Sequence, residues 1–109
     1  MQLRNIPFES LAWSEVISTR HAGDAGTALW RTRQLGDIRV RMVEYSAGYI
    51  ANHWCSKGHL LLCVAGDFVS ELADGRKVAL SAGMSYFVAD DVMPHRSSTV
   101  GGATLYIVD

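Results

Sequence analysis

The sequence predicts a small all-β domain, a barrel or a sandwich, on three observations. From Thr27 onward, short runs rich in apolar residues alternate with glycine-bearing turns, so that short strands follow one another at roughly regular spacing. Two of the turns, Gly36-Asp37 and Asp74-Gly75, have the composition that closes tight hairpins, because glycine supplies the positive φ such turns demand. No segment sustains a helical period. At 109 residues the chain fits one domain, long enough to bury a core and too short to divide.

Residues 1–27 read as an N-terminal arm packed on a barrel formed by residues 28–109. Pro7, the Trp13-Ser-Glu-Val-Ile17 segment and the glycines at 23 and 26 give no period, so the arm is expected to be irregular, with one short strand near 13–19. His21 falls in the turn-rich run to Gly26 and reads as an exposed loop residue. The barrel opens with a strand over 28–34 and, after the Gly36-Asp37 turn, a second over 38–46. In the second strand Ile38, Val40, Met42 and Glu44 share one face and Arg39 and Arg41 the other, because successive side chains alternate, and the arginine side is expected to be wet. Gly48 breaks this strand. Leu60 to Ala65, six apolar residues between Gly58 and Gly66, has the signature of a short strand buried on both faces. Strands over 67–73 and 76–80 flank Asp74-Gly75. A turn at Ser81-Ala-Gly83, a strand over 84–89, the polar turn Asp90-Asp91, a strand carrying His95 and a last strand over 103–108 complete the chain.

The stretch from Gly48 to Gly66 holds two of the four histidines and both cysteines. On an extended backbone His53 and Cys55 leave the same face, with Trp54 on the other. If His59 points into the barrel, Leu61, Cys63 and Ala65 do too, and the inward face then carries one strongly polar group that must be satisfied. His95, after Pro94, is a fourth donor. Imidazole and thiolate are ligands that borderline-soft metals prefer, so His53, Cys55, His59 and His95 form a candidate site for a divalent transition metal. Four protein ligands would close a tetrahedral site, whereas three would leave a position for water or substrate. Cys63 is expected to pack as a small hydrophobe, leaving Cys55 as the chemical thiol. Glu44 and Tyr86 are candidates for lining a ligand pocket, and Trp13, Trp30, Trp54, Phe68 and Phe87 read as core or interface residues.

The net charge of −1, with acidic and basic residues interspersed, shows no nucleic-acid or membrane-surface patch, so the expected partner is a small molecule. No apolar run is long enough to span a bilayer, and the N-terminus lacks the apolar core and cleavage site of a signal peptide, so a cytoplasmic location and free thiols at Cys55 and Cys63 are expected. No Ser-His-Asp arrangement, phosphate-cradling loop or nucleotide fingerprint is present. The apolar strand Leu60 to Val64 and the outward Trp54 call for cover beyond the barrel's own core, and a homodimer is expected to supply it.

These motifs resemble those of the cupins. His53-x-Cys55, three residues to His59 and six more to Gly66 is similar to the first cupin motif, in which two histidines one residue apart are followed by Glu and then Gly. Gly83 and His95, just after Pro94, resemble the second, whose histidine completes a metal site. More narrowly, Asn52-His-Trp-Cys55, Lys57-Gly-His59, Gly83-Met-Ser-Tyr86 and Pro94-His-Arg-Ser97 look like the small proteins of the DHCW-motif cupin-fold family. The resemblance covers most of the chain from about Trp30 to Asp109 and implies a cupin-type barrel (a double-stranded β-helix, or jelly roll) with the four donors at its open end. The chain departs from the general pattern at Cys55, where cupins have their second histidine, and at His59, where they have Glu. Asn52 replaces the Asp of the narrower motif. The resulting nitrogen and sulfur donors favour zinc, iron or nickel over hard cations.

Three readings fit. One is a small metalloenzyme acting on a small organic molecule in the barrel mouth; the second is a non-catalytic binding or sensing module, with or without metal; the third is a protein in which these donors are structural only. Fold alone does not choose between them.

Overall fold

A computed structural model of the protein describes residues 2–109. A 3-10 turn at Trp13–Glu15 precedes eight strands: β1 (Ser18–Ala22), β2 (Thr27–Leu35), β3 (Ile38–Tyr45), β4 (His59–Leu72), β5 (Lys77–Ser81), β6 (Ser85–Val88), β7 (His95–Ser98) and β8 (Ala103–Val108). Hydrogen bonding runs β1-β2-β3-β8-β4-β5, with β6 and β7 also pairing with β4, and every pairing is antiparallel. This is the all-β jelly roll that the turn spacing predicts.

Both hairpins fall where glycine chemistry puts them. Leu35 pairs with Ile38 across Gly36-Asp37, and Leu72 exchanges backbone bonds with Arg76 and Gly75 around Asp74-Gly75. The expected separate strands over 60–65 and 67–73 form instead one 14-residue strand. Gly66, expected to end the first of them, sits at φ +72 just after a register shift between Cys63 and Ala65, and a Cβ there would lie 2.2 Å from the Gly102 carbonyl oxygen. The bulge bends β4 without ending it. Its first half pairs with β6 and β8 and its second with β5 and β7, so β4 joins the two sheets.

The core lies on the inward faces: Ala28 and Val43, Leu61 and Cys63, Phe68 and Leu80, Leu105 and Ile107. Four further expectations are corrected. The strand near 13–19 is a 3-10 turn followed by β1, which pairs with β2 through Ser18↔Arg31 to Ala22↔Thr27. His21 accordingly lies on a strand, stacked on Trp30 with ring centroids 3.9 Å apart. The run from Leu60 to Ala65 is buried on one face alone: Leu61 and Cys63 are inside, while Leu60, Leu62 and Val64 are each about 40% exposed (42, 39 and 45%). The arginine face of β3 is the inner one. Arg41 is 5% exposed and Arg39 half-buried, because the carboxylate of Asp109 and the Trp30 ring receive their guanidinium groups inside the barrel. On the outer face the N-terminal segment approaches β2 and β8, with Glu9 paired to Arg33 and Trp13 edge-on to Tyr106.

Candidate metal centre

Three elements bring three donors together. Cys55 and His95 exchange both backbone hydrogen bonds (2.7 and 2.9 Å), an isolated antiparallel bridge. Directly opposed residues in such a pair project to the same side, so the thiol and the imidazole face one another. His59, the first residue of β4, enters from the neighbouring strand, its ring 5.1 Å from that of His95 and nearly perpendicular to it. One ligand atom from each of Cys55, His59 and His95 lies within 4.8 Å of the others. Cys55 Sγ and His59 Nε2 are 3.6 Å apart, and bonds of about 2.0 to 2.3 Å to a common tetrahedral ion require roughly 3.5 Å.

The second nitrogens fix the tautomers. His59 Nδ1–H donates to Asp109 Oδ2 at 3.0 Å, and His95 Nδ1–H donates to the Met93 carbonyl at 2.8 Å. With both Nδ1 atoms committed in this way, each Nε2 is turned toward the cluster, where it is a ligand when unprotonated and a donor to the Cys55 sulfur when protonated; outer hydrogen bonds orient metal-binding imidazoles in the same manner. His95 Nε2 is buried and makes no hydrogen bond. The half-buried Cys55 sulfur lies beside both rings. His59, and then His95, pull its thiol down to about 5, and the thiolate in turn raises His95. The donor set is thus one sulfur and two imidazole nitrogens, which fits a divalent transition metal.

Of the other predicted site residues, His53 and Tyr86 line the same cavity outside the three-donor cluster, and Glu44 does not. His53 is not part of the three-residue cluster. No strand forms at 52–54, and His53 sits exposed in that turn with Nδ1 2.6 Å from Asn52 Oδ1, while still lining the cavity. Tyr86 lies inside with its ring 5.8 Å from His95 and 6.5 Å from His59, its hydroxyl pushed well up by burial. Glu44 lies on the face of β3 opposite the cavity, pairing with Arg31 at 3.2 Å. Cys63 is fully buried in the core, its thiol raised by that burial.

Below the cluster lies a cavity of about 210 Å³, whose walls include Trp30, Arg39, Arg41, Tyr45, Tyr49 and Ser97. Burial pushes the Tyr45 hydroxyl up to about 12. Arg41 Nη2 donates to Asp109 Oδ2 at 2.8 Å, and Arg39 bonds the same carboxylate through Nε (2.9 Å) and Nη2 (3.2 Å). Burial alone would raise Asp109, but hydrogen bonding from Arg39 and the charges of Arg41, Arg39 and His59 hold it below the usual carboxylate range. Arg39, Arg41 and Asp109 were not expected at the site. The available signal is the period of two that runs through Leu105 and Ile107 of β8 and on to Asp109 just after it, so that a carboxylate follows two core residues inward.

Neither a protein-family model nor a curated protein matches the chain. Solved structures do. A predicted oxalate decarboxylase from Thermotoga maritima superposes with a TM-score of 0.77 at 14% identity over 92% of this chain and 96% of that one. Fe(II)-HppE with the alternative substrate (S)-1-HPP gives 0.76 at 15% identity over 94% of this chain, which spans 60% of that longer protein. A cupin-2 domain protein from Shewanella frigidimarina gives 0.60 at 14% identity, over 73% of this chain and 78% of that one. The likeness establishes the fold as a cupin jelly roll.

Proposed function

We propose that this protein binds a divalent transition metal at the mouth of its barrel, through Cys55, His59 and His95, and that a small organic molecule occupies the cavity beneath. The observation that carries the reading is His95 Nε2. It is a buried ring nitrogen with no hydrogen-bond partner at bonding distance, beside the Cys55 sulfur and a second imidazole, and the Nδ1 atoms of both rings are already tied down. Such a group is costly unless something coordinates it. The family reading extends to the DHCW-motif cupins on the residues that resemble them, and iron in the HppE neighbour is in keeping with a transition metal. Zinc, iron and nickel are the ions this donor set favours.

His53 is the fourth donor in this proposal, with Nε2 free because Nδ1–H donates to Asn52 Oδ1. It lines the cavity, and joining the cluster would require the 52–54 turn to move. A bound ion would supply Lewis acidity toward an oxygen of the small molecule. The chain's own residues would bind and orient that molecule: Trp30 and Tyr86 by packing, the arginines by charge. Binding without turnover is the second reading, because among the described residues no carboxylate lines the cavity to act as a general base. Metal analysis of protein purified without added metal tests the site. One equivalent of a transition metal in the wild type and none in His95→Ala supports it, and no metal in the wild type at neutral pH overturns it.

We also infer a homodimer that covers the outer face of β4 and β6, where Leu60, Leu62 and Phe87 (72% exposed) lie together across paired strands. Light scattering checks it, since Phe87→Glu should convert dimer to monomer. A cytoplasmic protein is in keeping with free Cys55 and Cys63.

A further inference from the structure

The charge of the cavity wall is lopsided. Arg39, Arg41 and Arg96 line it, and no carboxylate does. Asp109 answers for two of the three guanidinium groups from behind, and Glu71 pairs with Arg96 at 3.3 Å. One carboxylate shared between Arg39 and Arg41 leaves one positive charge, which the Cys55 thiolate across the cavity offsets in the metal-free chain and which a divalent ion held by that thiolate would restore and double. Arg41 is the critical group. Its side chain is 6% exposed, Trp30 covers its guanidinium at 4.4 Å, and Trp30 is itself held from behind by His21. Nη2 is taken by Asp109, but Nε is buried and makes no hydrogen bond. A rigid, desolvated guanidinium with a donor to spare is the recognition element for a planar oxyanion.

We propose that the cavity binds a small organic anion of the carboxylate class, with Arg41 as its anchor and Arg39 alongside. The volume of about 210 Å³ corresponds to about seven water-sized groups, which admits a three- or four-carbon acid and excludes nucleotides and sugars of disaccharide size. The apolar half of the cavity, formed by Val43, Leu61 and Ile107, receives the carbon chain, and the carboxylate lies against β3. A neutral amide of the same shape would bring an N–H₂ against the guanidinium donors, and an amine a second cation, so both are rejected.

This deepens the metal-site reading, since the anion shares that cavity, but the arginine subsite is testable without metal. The probes are malonate and malonamide, titrated by calorimetry at low constant ionic strength into metal-free and zinc-loaded protein, with zinc content measured separately on the same samples. Malonate should bind in both forms at least tenfold more tightly than malonamide. Arg41→Gln should lose about tenfold to hundredfold in malonate affinity, the range of one charge-assisted hydrogen bond, and Arg41→Lys should recover only part of it. Equal affinities for the two probes in the wild type would overturn the proposal without recourse to any variant, so a poorly folding Arg41→Gln does not blunt the test. Malonate binding that needs zinc and is unaffected at Arg41→Lys would also overturn it, by assigning the anion to the ion. Zinc absent while malonate still binds selectively would sink the metal reading and leave this one standing.

Discussion

Replacing Asp109 by Asn should destabilise the metal-free protein by about 3 kcal/mol, the lower part of the range for breaking a buried ion pair. The carboxylate is 1% exposed and receives four hydrogen bonds, from Arg39 twice, Arg41 and His59. Arg39 is 31% exposed and can turn toward water, so its share is small. Arg41 cannot: it is buried, and burial already acts on its charge more strongly than Asp109 relieves it. The amide keeps one acceptor, which is why the lower figure applies. For a domain near 100 residues this corresponds to a fall in Tm of about 12 to 24 °C, measurable by thermal and urea unfolding. The pH dependence supplies an independent check. The carboxyl is held below its ordinary value in the folded chain, so its contribution is present above the unfolded pKa of about 3.9 and is lost as pH falls through the lower folded pKa. The melting curves of wild type and variant should therefore converge in acid. A loss under about 1 kcal/mol at pH 7, or a difference constant down to pH 2, would refute the account. Arg41→Met combined with Asp109→Leu should be less harmful than Asp109→Asn alone, because it removes both charges together.

Other consequences are as specific. Iodoacetamide should modify one thiol per metal-free chain at pH 7: Cys55, pulled down to about 5, reacts as thiolate, while Cys63 is buried and raised, and mass spectrometry of the peptides identifies the site. Added zinc should protect Cys55. Zinc affinity should keep rising with pH above about 6.5, because His95 is raised by the Cys55 thiolate and must lose its proton to bind, and competition titrations at several pH values would show it. His59→Ala and His95→Ala should abolish tight binding, whereas His53→Ala, at the edge of the cluster, should weaken it by a smaller factor. Gly66→Ala should cost more than about 2 kcal/mol in urea unfolding, since the left-handed backbone penalises any Cβ and the Gly102 carbonyl stands in its place.

What the sequence discloses and what it conceals follow from the range of the interactions. The hairpins at Gly36-Asp37 and Asp74-Gly75 are local events, set by the backbone freedom of two residues, and they stand where expected. The last strand, 103–108, is likewise legible as alternation. Local rules also gave misleading answers wherever a distant partner decided. His53 and Cys55 would share a face on a strand, but the backbone at 52–54 turns, and Cys55 takes its orientation from a bridge to His95, forty residues on in the chain. Arginines on β3 read as solvent-facing because guanidinium groups are seldom buried. That rule yields to pairing, and the partner is Asp109, some seventy residues away and immediately after β8, the strand β3 lies beside.

The same carboxylate links the two halves of the site. Asp109 receives Arg41 and His59 on one oxygen, Oδ2, at 2.8 and 3.0 Å. A negative charge on that oxygen holds the proton on His59 Nδ1 and so keeps Nε2 turned to the cluster as a ligand. It also leaves Arg41, which lines the cavity, with Nη2 engaged and a buried Nε unpartnered. Metal donors and anion anchor are thereby set by a single group, and a change there should act on both. Asp109→Asn should lower zinc affinity by about tenfold to hundredfold, the usual cost of losing such an outer partner, and alter malonate affinity in the same protein. An effect on one with none on the other would show that His59 and Arg41 are held independently, and the shared oxygen would then be a matter of packing alone.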